Sequence, residues 1–253
     1  MRIVLKILLI FIFPLNVIAR EKGETEITTE DGIEVFQSEK YYLLKKNVII
    51  DSDNFSLNAE NVKINFDKSL YDIIQLNAVG DVKFNSQEFK MSGKGENLQF
   101  LVKLEEIKVE GLNSELFNED VKMFSDGYIQ INNLNGDFSL KGKNSKLINE
   151  NIIIIAESID GIFLIKDNQR EISFLDVFDN NMSYVKNNNT EMYAKKINFN
   201  SDTSIIELIE NVTIIREDEK ISGDYGTLDT KNNSYKIKSN NDTKVKAVIQ
   251  NNE

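Results

Sequence analysis

The residues that most often do chemistry are thin in this chain. Its 253 residues include no histidine and no cysteine. That removes Ser-His and Cys-His nucleophile pairs, and with them the usual zinc sets. Carboxylates remain. Glu105-Glu106 is an adjacent pair, and neighbouring positions on an extended strand face opposite ways. A glycosidase needs two carboxylates roughly 5–10 Å apart across a cleft, and the sequence neither supplies nor forbids that. The run Asp51-Ser52-Asp53-Asn54 resembles a fragment of a calcium loop. It lacks the glycine and the distal glutamate such loops use, and reads as a hairpin turn. Lys45, Lys46, Lys244 and Lys246 could meet phosphates or guard strand edges, and ordinary solvated charge accounts for all four. The expectation is a protein with no enzymatic activity, no catalytic residues, no metal and no cofactor.

Charge narrows the partners. Acidic residues outnumber basic ones 41 to 30, a formal charge of −11. Nucleic acid needs a basic face to neutralise phosphate, so it is not an expected partner, and an anionic membrane surface is disfavoured likewise. Residues 1–19, MRIVLKILLIFIFPLNVIA, place Arg2 and Lys6 before an apolar stretch, with Val17-Ile18-Ala19 at its end. That order is the one of a secretory signal peptide cleaved after Ala19, which predicts export. An uncleaved inner-membrane anchor is the alternative. An exported chain without cysteine must hold itself together by burial and backbone pairing.

The elements available for that are strands. After Pro14 there is no proline. Apolar and polar residues alternate in Val62–Phe66, Val82–Phe84, Phe89–Met91, Ile107–Val109 and Ile129–Ile131, the period of a strand with one buried face. The spacing also repeats. Seven, nine and eleven positions after Val48 come Phe55, Leu57 and Ala59. After Val82 come Phe89, Met91 and Gly93, and after Ile131 come Phe138, Leu140 and Gly142. After Val212 come Glu219, Ile221 and Gly223. Each copy predicts a hairpin whose return strand ends on a small residue, where the backbone bends or approaches a neighbour. Stacked hairpins at a separation of 34 residues (48 to 82) suit a repeat architecture. The polar run Asn180–Thr190 is either a flexible joint or a long hairpin loop.

Two segments carry a resemblance. "NVIIDSDNFSLNAENVKINFDKSLYDIIQLNAVGDVKF" and "IIELIENVTIIREDEKISGDYGTLDTKNNSYKI" share an Asn-Val opening, a polar turn, an apolar step to a small residue and a second polar turn before a further strand. Over Ile27–Phe100 and Ile197–Val248 the chain resembles the OstA-like family of periplasmic lipopolysaccharide-transport proteins, LptA among them. The resemblance implies an all-β fold, an open twisted β-jellyroll of stacked hairpins. It implies an OstA-like jellyroll over 20–175 and a second OstA-like segment over 176–253, continuous with the first or forming a second linked jellyroll.

The family's role is to carry lipopolysaccharide from the inner to the outer membrane with its lipid A acyl chains in an apolar groove. Implied partners are the inner-membrane and outer-membrane transport components, joined by edge-strand addition, and further copies head to tail. The inward row expected to line the groove is Val48, Ile50, Phe55, Leu57, Val62, Ile64, Phe66, Ile74, Leu76, Val82, Phe84, Phe89, Met91, Leu98 and Phe100, with Val212, Ile214 and Ile221 in the second segment. Each methylene buried there contributes about 0.8 kcal/mol. Sequence leaves two rivals open: an exported β-solenoid with a filled core, and a β-helical carbohydrate-active enzyme.

Overall fold

The alternating pattern folds as strands throughout. The computed structural model describes residues 23–166, 169–217, 219–232, 234–240 and 244–249; the leader expected at 1–19 lies outside the described residues. In chain order the strands are β1 (Glu26–Thr28), β2 (Gly32–Phe36), β3 (Tyr41–Asp51), β4 (Phe55–Phe66), β5 (Ile73–Ser86) and β6 (Met91–Leu101). A 3-10 turn at Val102–Leu104 leads to β7 (Glu106–Glu110), β8 (Ser114–Asn118), β9 (Val121–Ser125) and β10 (Tyr128–Asn132). Then come β11 (Asp137–Asn149), β12 (Ile152–Lys166), β13 (Gln169–Asn187), β14 (Thr190–Asn200), β15 (Ile205–Arg216), β16 (Glu219–Asp229), β17 (Ser234–Lys238) and β18 (Lys246–Ile249). All pair antiparallel in one sheet; consecutive long strands pair with each other, while β1 pairs with β3, β7 with β6 and β10, β8 with β6 and β9, β9 also with β11, and β18 with β16. The all-β, hairpin-built fold expected from the sequence is the fold observed.

Most strands are long, and the long ones bend once near the middle. In β3 the register passes from Lys45↔Asn61 to Val48↔Ala59, so Lys46 and Asn47 stand opposite the single residue Glu60. That is a β-bulge, and it turns the strand. The same two-for-one step puts Gly80-Asp81 opposite Glu96 and Glu210-Asn211 opposite Asp224. All six bulge residues have positive φ, from 42° to 83°. Asn and Asp tolerate that conformation better than most side chains, and each of these pairs is followed by an inward valine: Val48, Val82 or Val212.

The bends divide the sheet into two facing walls. The first wall holds β2, β7, β10, β17 and the halves of the long strands that pair with them, such as Tyr41–Lys45 and Asn61–Phe66. The second holds β1, β8, β9, β18 and the other halves, such as Val48–Asp51 and Phe55–Ala59. Backbone pairing joins the walls along the bent side only. Along the opposite side, which we call the seam, the hairpin turns of the two walls face each other without strand pairing among the described residues.

Buried serines complete the bend in the middle of the chain. Ser114 Oγ donates to the Gly111 carbonyl at 2.7 Å, Ser125 Oγ to Lys141 at 2.8 Å and Ser183 Oγ to Lys195 at 3.2 Å. These carbonyls lose ladder partners where the register shifts, and a buried carbonyl without a partner is costly. Gly127 lies so close that a Cβ there would strike the Lys141 carbonyl oxygen.

The repeated phrase takes its meaning from this geometry. "FSLNAEN" is β4, running from the seam of the second wall into the bend at Glu60. "FSLKGKN" is β11, running from the seam of the first wall into the bend at Gly142. In each, Phe and Leu point inward and a small residue sits where the strand turns. The copy starting at Ile131 is therefore a first-wall hairpin (Ile131↔Phe138), whereas those starting at Val48 and Val212 are second-wall hairpins. The run Asn180–Thr190 is mostly strand: β13 continues to Asn187 and turns at Asn188-Asn189. Positions 175 and 176 both lie within β13.

Candidate functional site

The inward rows of the two walls meet between them. Val48, Ile50, Leu57, Val62, Ile64, Phe66, Leu76, Val82, Phe84, Met91, Leu98, Val212 and Ile214 are buried in one apolar cluster. Phe55, Phe89 and Phe100 pack against it, partly exposed. Ile74 does not join it. Between Asn65 and Phe66 the register slips, Phe66 pairs with Ile73, and Ile73 takes the inward place. Strict alternation cannot see such a slip. Ile221 lies opposite Ile214 and so faces inward, but it is only half-buried because just β18 follows it.

The cluster also continues through residues 101–196, between the two segments, where the family resemblance is loose. Ile107, Val109, Leu116, Met123, Ile129, Leu140, Leu147, Ile154, Ile159 and Val177 are all buried in it. Their alternation was readable, but nothing local showed that β7–β10 are two bent strands interrupted at the bend. The inward row therefore runs unbroken from β1 to β18.

At both ends this row is bare. In the first rungs Ile27 of the second wall and Ile33, Val35 and Tyr42 of the first surround a mouth of about 360 Å³, together with Thr25, Ile73 and the turn residues Leu70 and Tyr71. Ile33 is 49% exposed and Tyr71 93%. At the far end Ile249 stands opposite Glu219 and is 64% exposed. Between the ends the interior is closely filled. A cavity of 120 Å³ lies among Ile152, Ile172, Leu175, Val185, Ile197, Phe199 and Ile206. A cavity of about 150 Å³ holds one benzene, so this one does not hold an acyl chain unless the walls separate.

Among the described residues the seam is held at three places. Phe89, in the second-wall turn between β5 and β6, meets Phe100 of the first wall edge-on, centroids 5.6 Å apart and planes at 75°. Arg170, at the seam end of β13 in the first wall, donates from Nε to Asn118 Oδ1 of the second wall at 2.8 Å and from an Nη to Asn133 Oδ1 at 2.9 Å. Asn149 Nδ2 of the second wall donates back to the Arg170 carbonyl at 3.3 Å. Near the C-terminal end Tyr235 Oη donates to Glu219 Oε2 at 2.7 Å. That bond, with burial and the carboxylate's charge, raises the Tyr235 pKa. Burial lowers the Arg170 pKa, and the charge of Glu119 opposes it.

Of the remaining chemistry-capable residues, Ser139, Lys141, Ser158 and Asp160 meet on the outer face of the first wall, where Asp160 accepts from Ser139 Oγ at 2.7 Å and from Ser158 Oγ at 3.1 Å and pairs with Lys141. Asp51–Asn54 is the turn between β3 and β4, closed by the Ser52 amide donating to the Phe55 carbonyl at 2.8 Å. Among the described residues no three acidic side chains converge to hold a metal. No helix among them is long and apolar enough to cross a membrane.

No family model matches the chain, and no curated protein matches it by sequence. Among solved structures it is similar to the crystal structure of LptH, the LptA-homologous periplasmic component of the conserved lipopolysaccharide transport device from Pseudomonas aeruginosa. The identity is 10%, the match covers 90% of this chain and 96% of that one, and the TM-score is 0.23.

Proposed function

We propose that this protein is a periplasmic, non-enzymatic lipid carrier of the OstA-like kind. It holds the acyl chains of lipopolysaccharide between its two walls and passes them along the inward row. One observation carries the reading: an unbroken apolar row lies between walls joined along one long side only, and it is bare at both ends. A solid core has no need of a free seam or of uncovered ends, since exposed apolar surface favours association and aggregation. A groove that opens along the seam uses both features.

In this reading the whole chain from β1 to β18 is one trough and not two linked ones. Its lining includes the predicted row, with Ile73 in place of Ile74. Acyl chains displace packing between the walls, and transfer to an equivalent trough recovers what release gives up. Among the described residues the outer edges of β1 and β2 at one end and of β17 and β18 at the other are unpaired, and such edges accept a further strand. The membrane-bound transport components, or another copy of this chain, would dock there. Export by a cleaved leader belongs to the same proposal.

The closely filled interior favours a second reading, an exported β-protein with a solid core. Mass spectrometry of lipid extracted from protein purified without detergent separates the two. The carrier reading predicts bound lipopolysaccharide or its acyl chains. A lipid-free preparation that also takes up no added lipopolysaccharide supports the solid core.

A further inference from the structure

The seam contact at Arg170 is built from ill-matched partners. A guanidinium has five donors, and here its partners are two neutral amide oxygens, on Asn118 and Asn133. The other Nη is buried and has no acceptor, and Asn133 Nδ2 beside it is buried without an acceptor as well. The orientation of Asn133 is fixed, because a group with donors only must meet its oxygen, which leaves the amide nitrogen over. Asn118 is fixed likewise: its Nδ2 donates to the Phe89 carbonyl at 2.9 Å. Among the described residues the acidic group whose charge acts on it is Glu119, which is held by Lys90 at 2.6 Å. Arg170 forms no ion pair among the described residues.

We propose that Arg170 and Asn133 form a binding site for a phosphate-type oxyanion, reached when the seam parts. An oxyanion supplies acceptors to both orphaned donors and a counter-charge to the guanidinium. Charge-assisted, bidentate bonds of that kind are stronger than bonds to neutral amides. The oxyanion therefore displaces Asn118 and releases the second wall. Capture of a phosphorylated headgroup and opening of the seam become one event. The assignment to a lipid headgroup rests on the carrier reading; the oxyanion site does not, since free inorganic phosphate has the same chemistry.

The test uses the side-chain Nε–H signals of arginine in the folded protein. Beyond residues 1–19 the sequence has only Arg20, Arg170 and Arg216, so the spectrum is sparse, and Arg170→Lys assigns the signal. The probes are inorganic phosphate, dodecyl phosphate and dodecyl maltoside. The proposal predicts that dodecyl phosphate shifts the Arg170 signal saturably and that phosphate shifts it the same way at higher concentration. Dodecyl maltoside leaves it in place. Arg170→Gln binds dodecyl phosphate about tenfold more weakly, and Arg170→Lys keeps part of the affinity. An Arg170 signal that neither phosphate moves, or that the maltoside moves equally, overturns the site. A response to both phosphates in a protein that binds no lipopolysaccharide keeps the site and removes the carrier reading.

Discussion

If acyl chains reach the interior by parting the walls, weakening the seam must speed their uptake. Phe89→Ala is the cleanest way to weaken it, because Phe89 projects from one lip onto Phe100 of the other. Truncating a fully buried phenylalanine costs about 3–5 kcal/mol. Phe89 is partly exposed, which scales the loss to about 2–3 kcal/mol. Of this, about 0.5–1.5 kcal/mol is the edge-to-face contact itself. For a chain of this size each kcal/mol lowers Tm by about 2–4 °C, so melting should fall by about 4–12 °C. If opening breaks the contact completely before the lipid enters, the uptake rate rises by up to about 30–140-fold, at 1.4 kcal/mol per factor of ten. Stopped-flow mixing with a fluorescent twelve-carbon fatty acid reads that rate. Gly127→Ala is the control. A Cβ there would strike the Lys141 carbonyl oxygen at the bend, on the side away from the seam, and overpacking of that kind costs about 1–3 kcal/mol. Gly127→Ala should destabilise the protein comparably and leave uptake nearly unchanged. The reasoning fails if Phe89→Ala loses the expected stability and takes up lipid no faster than the parent, or if the control speeds uptake equally.

Two further outcomes follow from the geometry. A Cβ at Gly161 would strike the Phe138 ring and stand 2.6 Å from the Phe174 carbonyl oxygen, so Gly161→Ala overpacks the first wall and should cost about 1–3 kcal/mol in urea unfolding; a neutral result would mean that Phe138 is free to move. Tyr235 has a raised pKa in the fold, first through its bond to Glu219 and then through burial. The bond thus contributes fully below the ordinary tyrosine pKa of about 10 and is lost as pH rises through the folded value. A difference titration at 295 nm between the parent and Tyr235→Phe should show that phenol titrating high, and Glu219→Gln should bring it back down; no change on Glu219→Gln would place the cause elsewhere.

What the sequence made legible was local. Alternation alone identified Val62, Ile64 and Phe66 as inward, and the same rule held through Ile107, Val109, Ile129 and Ile131. The bends were half visible. The small residues Ala59 and Gly223 were recognised as places where the backbone turns, but their partners Lys46-Asn47 and Glu210-Asn211 were not, because an adjacent pair of left-handed residues has no pattern beyond a polar dipeptide. Ile74 was misplaced because a one-residue slip reverses facing. Arg170 was missed because its partners, Asn118, Asn133 and Asn149, come together only when β8, β10, β11 and β13 end at the same seam. No spacing in the chain records that meeting.

Photo-cross-linking from paired positions tests the lipid slot most directly. A photoreactive side chain at Met91 or Leu140 points between the walls, whereas one at Lys83 or Ser139 lies on the outer face of the same sheet. With lipopolysaccharide present, irradiation should give lipid adducts from Met91 and Leu140 and none from Lys83 and Ser139. Adducts from the outer positions alone, or none at all from a folded protein, would contradict a lipid held between the walls.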